Sequence, residues 1–231
     1  MDTLINTVVS IVLLSCLYKY FENGTYDVTM VKSEVNQKEY LVRNQSDKQE
    51  SANLISNIAI RLDKLNKYLQ ATDVDTIYQK YYKSDVLKEL GITDESNEEN
   101  KSIIKQKEEE VKTEIKNNIA RAKNNFNPDN FSESTPDAKY TSYSVNKGEK
   151  IVMCIRNKKD GNKLVKLNIL MFVALHEFAH VFTKSVGHTE EFWENFKYLL
   201  KVAIDIGIYK KIDFTKYPKN YCGTKITDSP Y

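Results

Sequence analysis

The chain has 231 residues, enough for one domain with a core and short appendages. Its 34 Lys and Arg stand against 32 Asp and Glu, a formal charge of +2, so no overall field draws it to nucleic acid. Cys16, Cys154 and Cys222 form no Cys-x-x-Cys pair; so odd and widely spaced a set argues against a disulfide framework, excludes a four-cysteine zinc ribbon, and suits a reducing compartment.

Thr3 to Tyr18 carries no charge and is rich in Leu, Ile and Val, with Tyr18, Tyr20 and Phe21 at its far end. The stretch reads as a single-pass N-terminal membrane anchor over residues 1–22, with Lys19 snorkelling to the interface. A cleaved signal peptide competes, but there is no basic leading region and no small-x-small site before Glu22. A lipoprotein signal at Leu13-Leu14-Ser15-Cys16 and a buried core helix compete as well. Asp2 ahead of the stretch and Lys19 and Lys32 behind it lean toward a domain on the cytosolic side.

Residues 23–231 form the domain. Residues 26–31 and 39–43 read as short strands around Asn36-Gln37. A helix follows over about residues 47–70, with Leu54, Ile55, Ile58, Leu62, Leu65 and Leu69 among its apolar positions. Residues 74–90 predict a second helix stopped by Gly91, and the acidic stretch of about 92–101 a mobile loop. The charged run 103–125 predicts a surface helix laced with Glu–Lys pairs four apart. A nucleic-acid or partner-binding helix is the sharper reading of the same run. Residues 127–136 read as a loop, and 141–145 with 150–156 as a hairpin around Asn146-Lys147-Gly148.

All three histidines fall within the thirteen residues from His176 to His188. Apolar residues at three- and four-residue steps predict one helix over 167–185, which sets His176 and His180 one turn apart on one face. Two such imidazoles can meet on one Zn²⁺ at roughly 2.0–2.1 Å each. Glu177, rotated about 100° from His176, would stand beside the ion's open position and deprotonate a water there. Gly187 can turn the chain back so that His188 supplies the third ligand, with Thr189 capping a helix over 190–206. Glu190, Glu191 and Glu194 are rival third ligands. The bland reading is a buried helix whose histidines are satisfied core residues.

His176-Glu177-Phe178-Ala179-His180, with His188 and Phe192 in a His-x-x-x-Phe segment, resembles the WLM and SprT-like zinc metallopeptidases. Residues 40–43, 141–150 and 221–223 resemble members of this group encoded by large DNA viruses, so the likeness covers about residues 25–231. The interval from His180 to His188 is longer than is usual in WLM proteins and shorter than in many SprT-like ones. The resemblance implies an α+β, zincin-like fold, with helices on a small, mainly antiparallel sheet. It also implies peptide-bond hydrolysis with Zn²⁺ as cofactor, and it assigns the hairpin strand beside the active helix to pairing with an extended substrate.

These readings combine into a membrane-anchored zinc metalloendopeptidase. His176, His180 and His188 hold the metal, and Glu177 is the catalytic base. The partners are a protein or peptide substrate and the membrane, with no nucleic acid, and the domain lies on the cytosolic or virion-interior side. Two competing functions are a non-catalytic zinc fold of a membrane or virion, and a DNA-associated protease. Cys222 is either a free buried thiol or an inhibitory ligand of the metal. Tyr221 is either structural or an oxyanion donor, and the tail 213–231 reads as irregular.

Overall fold

The computed structural model describes residues 27–157 and 160–230. The apolar stretch read as an anchor, and Cys16 within it, lie outside the described residues. Among the described residues no helix is long and apolar enough to cross a membrane.

The architecture is α+β. Strands β1 (Val28–Lys32) and β2 (Glu39–Arg43) form a hairpin whose turn takes Gln37 to φ 64. Helix α1 (Lys48–Ala71) follows and buries Ile55, Ile58, Leu62, Leu65 and Leu69 completely or nearly so. These positions share one face at helical spacing, so α1 packs on the sheet through them.

The run expected as one helix over 74–90 is divided. It comprises α2 (Val74–Ile77), a π-helical turn (Tyr78–Tyr82) and α3 (Lys83–Glu89). The Asp73 carboxylate caps it by accepting from the Thr76 amide, and Gly91 closes it at φ +66. The acidic loop is shorter than expected, because α4 (Glu98–Asn125) begins inside it. The Asn97 side chain accepts from the amides of Glu99 and Asn100 and so starts the helix early.

The sheet corrects two expectations. Residues 127–136 contain a strand, β3 (Phe131–Glu133), and it lies at the sheet's centre. With β4 (Tyr143–Val145) and β5 (Lys150–Met153), the order is β1-β2-β3-β5-β4. β3 runs parallel to both neighbours while the outer pairs are antiparallel, so the sheet is mixed rather than mainly antiparallel. Three residues including Ser and Glu carry no alternating apolar signal. Glu133 is tolerated there because two buried guanidiniums meet it, Arg43 and Arg156.

A short β6–β7 ladder (Arg156–Asn157 and Lys163–Leu164) leads into α5 (Leu167–Phe182), the most apolar helix and the centre of the core. α6 (Glu190–Asp205) packs against it and ends at Gly207, φ +73. The tail is not irregular throughout: β8 (Lys219–Tyr221) and β9 (Thr224–Ile226) form a hairpin.

The hairpin places Cys222 against Cys154, which follows β5, and the two form a disulfide with Cα atoms 6.2 Å apart. This overturns both readings of Cys222, the free thiol and the inhibitory ligand. It also removes the cysteine argument for a reducing compartment. Sixty-eight residues of sequence separation conceal a contact that the sheet and the tail create.

Candidate metal centre

α5 carries His176, Glu177 and His180, and it stops at Phe182, three residues earlier than the apolar pattern implies. Thr183 turns extended, ψ 141, which frees residues 183–189 to fold back over the helix. Gly187 takes φ +87, the left-handed conformation expected of it. Thr189 then caps α6 by accepting from the Phe192 amide, also as expected.

The return brings the third histidine home. The ring centroids of His176, His180 and His188 lie 4.9 Å apart in all three pairs, an equilateral triangle. Nε2 of His176 is 2.9 Å from Nε2 of His188, and one nitrogen from each ring falls within 4.8 Å of the others. Nitrogens bound tetrahedrally at about 2.0–2.1 Å would stand roughly 3.3 Å apart, so small ring rotations suffice to admit an ion. Burial pushes His176 down to about 3 and His180 to about 4, helped by the neighbouring imidazoles. Both are therefore neutral at pH 7, the form that ligates. The donor set fits a divalent metal.

Side chains of α6 hold the rings. Phe192 stacks on His180 at 4.3 Å and meets His176 edge-on at 4.9 Å, while Trp193 stacks on His188 at 5.7 Å. The rival ligands go elsewhere: among the described residues only the three histidines gather at metal-binding distance. Glu191 instead accepts the amides of Lys184 (2.9 Å) and Ser185 (3.1 Å), pinning the loop that delivers His188.

Lys147 pins the same loop from the sheet side. Its Nζ donates to the carbonyls of Thr183 (2.8 Å), Lys184 (3.2 Å) and Ser185 (2.6 Å), and burial lowers its pKa. Arg121 donates to the Phe182 carbonyl at 2.6 Å. Sequence reasoning missed all three of these pinning residues. The one available signal was the hairpin's Asn-Lys-Gly turn, because Lys147 at φ 56 and Gly148 at φ +117 aim the amine at the helix end. A Cβ at Gly148 would meet Val181 Cγ1 at 2.8 Å, so the turn lies flat on α5 only as glycine.

Glu177 faces β4, the edge strand. It is 6 % exposed and accepts a hydrogen bond from the Ser144 amide. Burial raises its carboxyl to about 7 against the opposing effect of that bond. Tyr221, beside it, is buried with its hydroxyl 2.5 Å from Ser142 Oγ, and burial pushes that hydroxyl well above its ordinary value. A cleft of about 650 Å³ opens on the His176 side, lined by Phe172, Trp193 and Phe196 and by Asp228 and Pro230 of the tail.

The WLM-domain model matches residues 79–230, which run from within the π-helical turn through α4, the sheet's second half and the histidines to the tail. The chain belongs to the WLM family. This is a metallopeptidase-like family, which accords with a metal at the histidines. The uncharacterized protein R325 of Acanthamoeba polyphaga mimivirus is 31 % identical over 225 residues, covering 97 % of this chain and 95 % of that one. The uncharacterized protein 136R of invertebrate iridescent virus 6 is 45 % identical over 83 residues, 35 % of this chain and 44 % of its own. The crystal structure of Wss1 from Saccharomyces cerevisiae overlays 42 % of this chain and 80 % of its own at 23 % identity, with a TM-score of 0.32. That overlay is too slight to argue from.

Proposed function

We propose that this WLM protein is a zinc-dependent metalloendopeptidase, with His176, His180 and His188 as ligands and Glu177 as general base. The carrying observation is the conjunction of three convergent imidazoles with a buried carboxylate on the adjoining helical position. When bound, zinc supplies a Lewis acid that polarises the scissile carbonyl and acidifies a water. Three imidazole nitrogens suit zinc, which takes three protein ligands in catalytic sites and leaves one position open.

The rest falls to the chain. Glu177 takes a proton on its carboxylate and returns it to the leaving amine. Burial raises its carboxyl above the ordinary carboxylate range, which favours its holding the proton between the two transfers. The Ser144 amide orients the carboxylate. Among the described residues β4 has one strand partner, so its outer edge is placed to take an extended peptide as a further strand. The aromatic wall of Phe192, Trp193 and Phe196 keeps the imidazoles from turning away.

We also propose that residues 1–22 anchor the chain in a membrane and that its partner is a protein or peptide substrate. The flanking charges favour the cytosolic or virion-interior side, while the Cys154–Cys222 disulfide weighs toward an oxidising one. The deciding experiment is hydrolysis of a peptide library by the zinc-loaded chain beside Glu177→Gln. Stoichiometric zinc with no cleavage of any peptide would leave a non-catalytic zinc fold instead.

A further inference from the structure

The cleft beside the metal centre is a groove between two helices and the tail. Phe172 and His176 stand one turn apart on α5, and Glu190, Trp193, Glu194 and Lys197 form one stripe along α6. Asp228 and Pro230 close the third side. The tail is anchored just upstream, because Ile226 packs on the core and Cys222 is tied to Cys154. The volume of about 650 Å³ falls in the roughly 300–1,000 Å³ range of ligand sites, and it admits the largest amino-acid side chains.

The floor of the groove is aromatic and continuous with the histidines. Phe172 meets Phe196 at 5.2 Å, Phe196 meets His176 at 5.3 Å, and Trp193 meets Phe196 at 6.2 Å, ring centre to ring centre. Trp193 stays 45 % exposed although it stacks on His188. Indole surface left wet beside the metal position gains free energy when an apolar group covers it.

The charged groups of the groove narrow the choice of occupant. Lys197 is engaged by Asp85 at 3.0 Å, which leaves Glu190, Glu194 and Asp228 at the mouth. All three are exposed, so water screens them and they build no cation site. An acidic side chain would meet like charge at the mouth and lose its water on the aromatic floor. A small side chain would leave that floor wet. A large apolar one meets neither cost.

We propose that this groove seats a large apolar side chain, aromatic before aliphatic, of the peptide that crosses the metal centre. The inference rests on the peptidase reading and adds a substrate class to it: polypeptides with such a residue beside the bond that is cut. His176 is both a ligand and a wall of the groove, so a side chain seated there holds the neighbouring backbone next to the metal position. Pro230, the apolar tail residue on the third side, is then a specificity-determining residue.

Trp193 is the chain's one tryptophan, so its emission reports on the groove directly. Zinc-loaded, full-length Glu177→Gln, which leaves the probes uncut, is titrated with capped peptides of the form acetyl-Ala-Ala-X-Ala-Ala-amide. With X as Phe or Leu the emission should shift to the blue and saturate. With X as Ala, Asp or Lys the affinity should be weaker by roughly tenfold or more. Pro230→Asp, added to the same chain, should weaken the Phe peptide by roughly three- to tenfold and leave zinc content and the Ala peptide unchanged. The proposal is overturned if no peptide shifts the emission, or if the Asp or Lys peptide binds as tightly as the Phe one. It is overturned equally if the folded Pro230→Asp chain binds the Phe peptide undiminished; should that chain not fold, the X series decides. Cleavage of the same peptides by the wild type is read separately. Selective binding with no cleavage keeps the groove's assignment and overturns the peptidase reading, whereas cleavage indifferent to X keeps the peptidase and overturns the groove.

Discussion

The backbone amide of Ser144, on the sheet's edge strand, donates to the carboxylate of Glu177 on the core helix. Glu177→Gln keeps an acceptor oxygen for that amide but removes the base. The variant should therefore fold and retain its metal while turnover falls roughly 10²–10⁴-fold. Metal analysis and peptide cleavage on one preparation check both halves. Activity within tenfold of wild type would take Glu177 out of the reaction.

His188 is the exposed member of the triad and comes from a loop, not from α5. His188→Ala leaves the helix and core untouched, so the far-ultraviolet spectrum should be unchanged. Bound zinc should fall from about one per chain, with affinity down by more than roughly 100-fold, beyond the usual cost of losing a group behind the ligands. Full zinc occupancy in dilute metal would exclude His188 as a ligand.

Two buried guanidiniums share Glu133. Arg156 Nε donates to it at 2.7 Å, and Arg43 Nε lies 3.4 Å away. Glu133→Ala takes the carboxylate from the buried Arg43 and leaves Arg156 with Asp47 alone, and should cost about 3–5 kcal/mol in denaturant unfolding. A loss under about 1 kcal/mol would mean that the two arginines find water.

Arg156 also grips Asp47 through two bonds of 2.6 and 2.7 Å, which hold its carboxyl below the ordinary value. A depressed folded pKa gives stability that is full above the unfolded value of about 3.9 and is lost as pH falls through the folded one. Melting temperature should thus drop more steeply below about pH 4 in wild type than in Asp47→Asn. Parallel curves would clear Asp47 of any part in acid unfolding.

Removing the covalent tie between Cys154 and Cys222 releases a 68-residue separation. Chain entropy sets the loss for Cys222→Ser at about 4 kcal/mol. It should also loosen Tyr221 beside Glu177, so activity should decline before the fold is lost. Mass spectrometry with and without reductant tests whether the bond forms, and thermal melts test what it contributes.

The site was more legible than the frame around it. The spacing of His176, His180 and His188 is local, and helix geometry with one glycine turn delivers all three. β3 was illegible because three residues with a central Ser and a Glu announce no strand; long-range pairing to β2 and β5 makes them one. The early end of α5 was hidden for a similar reason, since Lys147 and Arg121 reach its last carbonyls and return loop from distant segments, joined by Glu191 of the next helix. The disulfide was misread because sequence spacing says nothing of where a tail hairpin docks.

Cys154 and Cys222 bracket all three histidines along the chain. A single backbone cut anywhere between them leaves two fragments that remain covalently joined. On a denaturing gel without thiol such a nicked molecule would run as one band. Wear at the centre itself would come to light only after reduction.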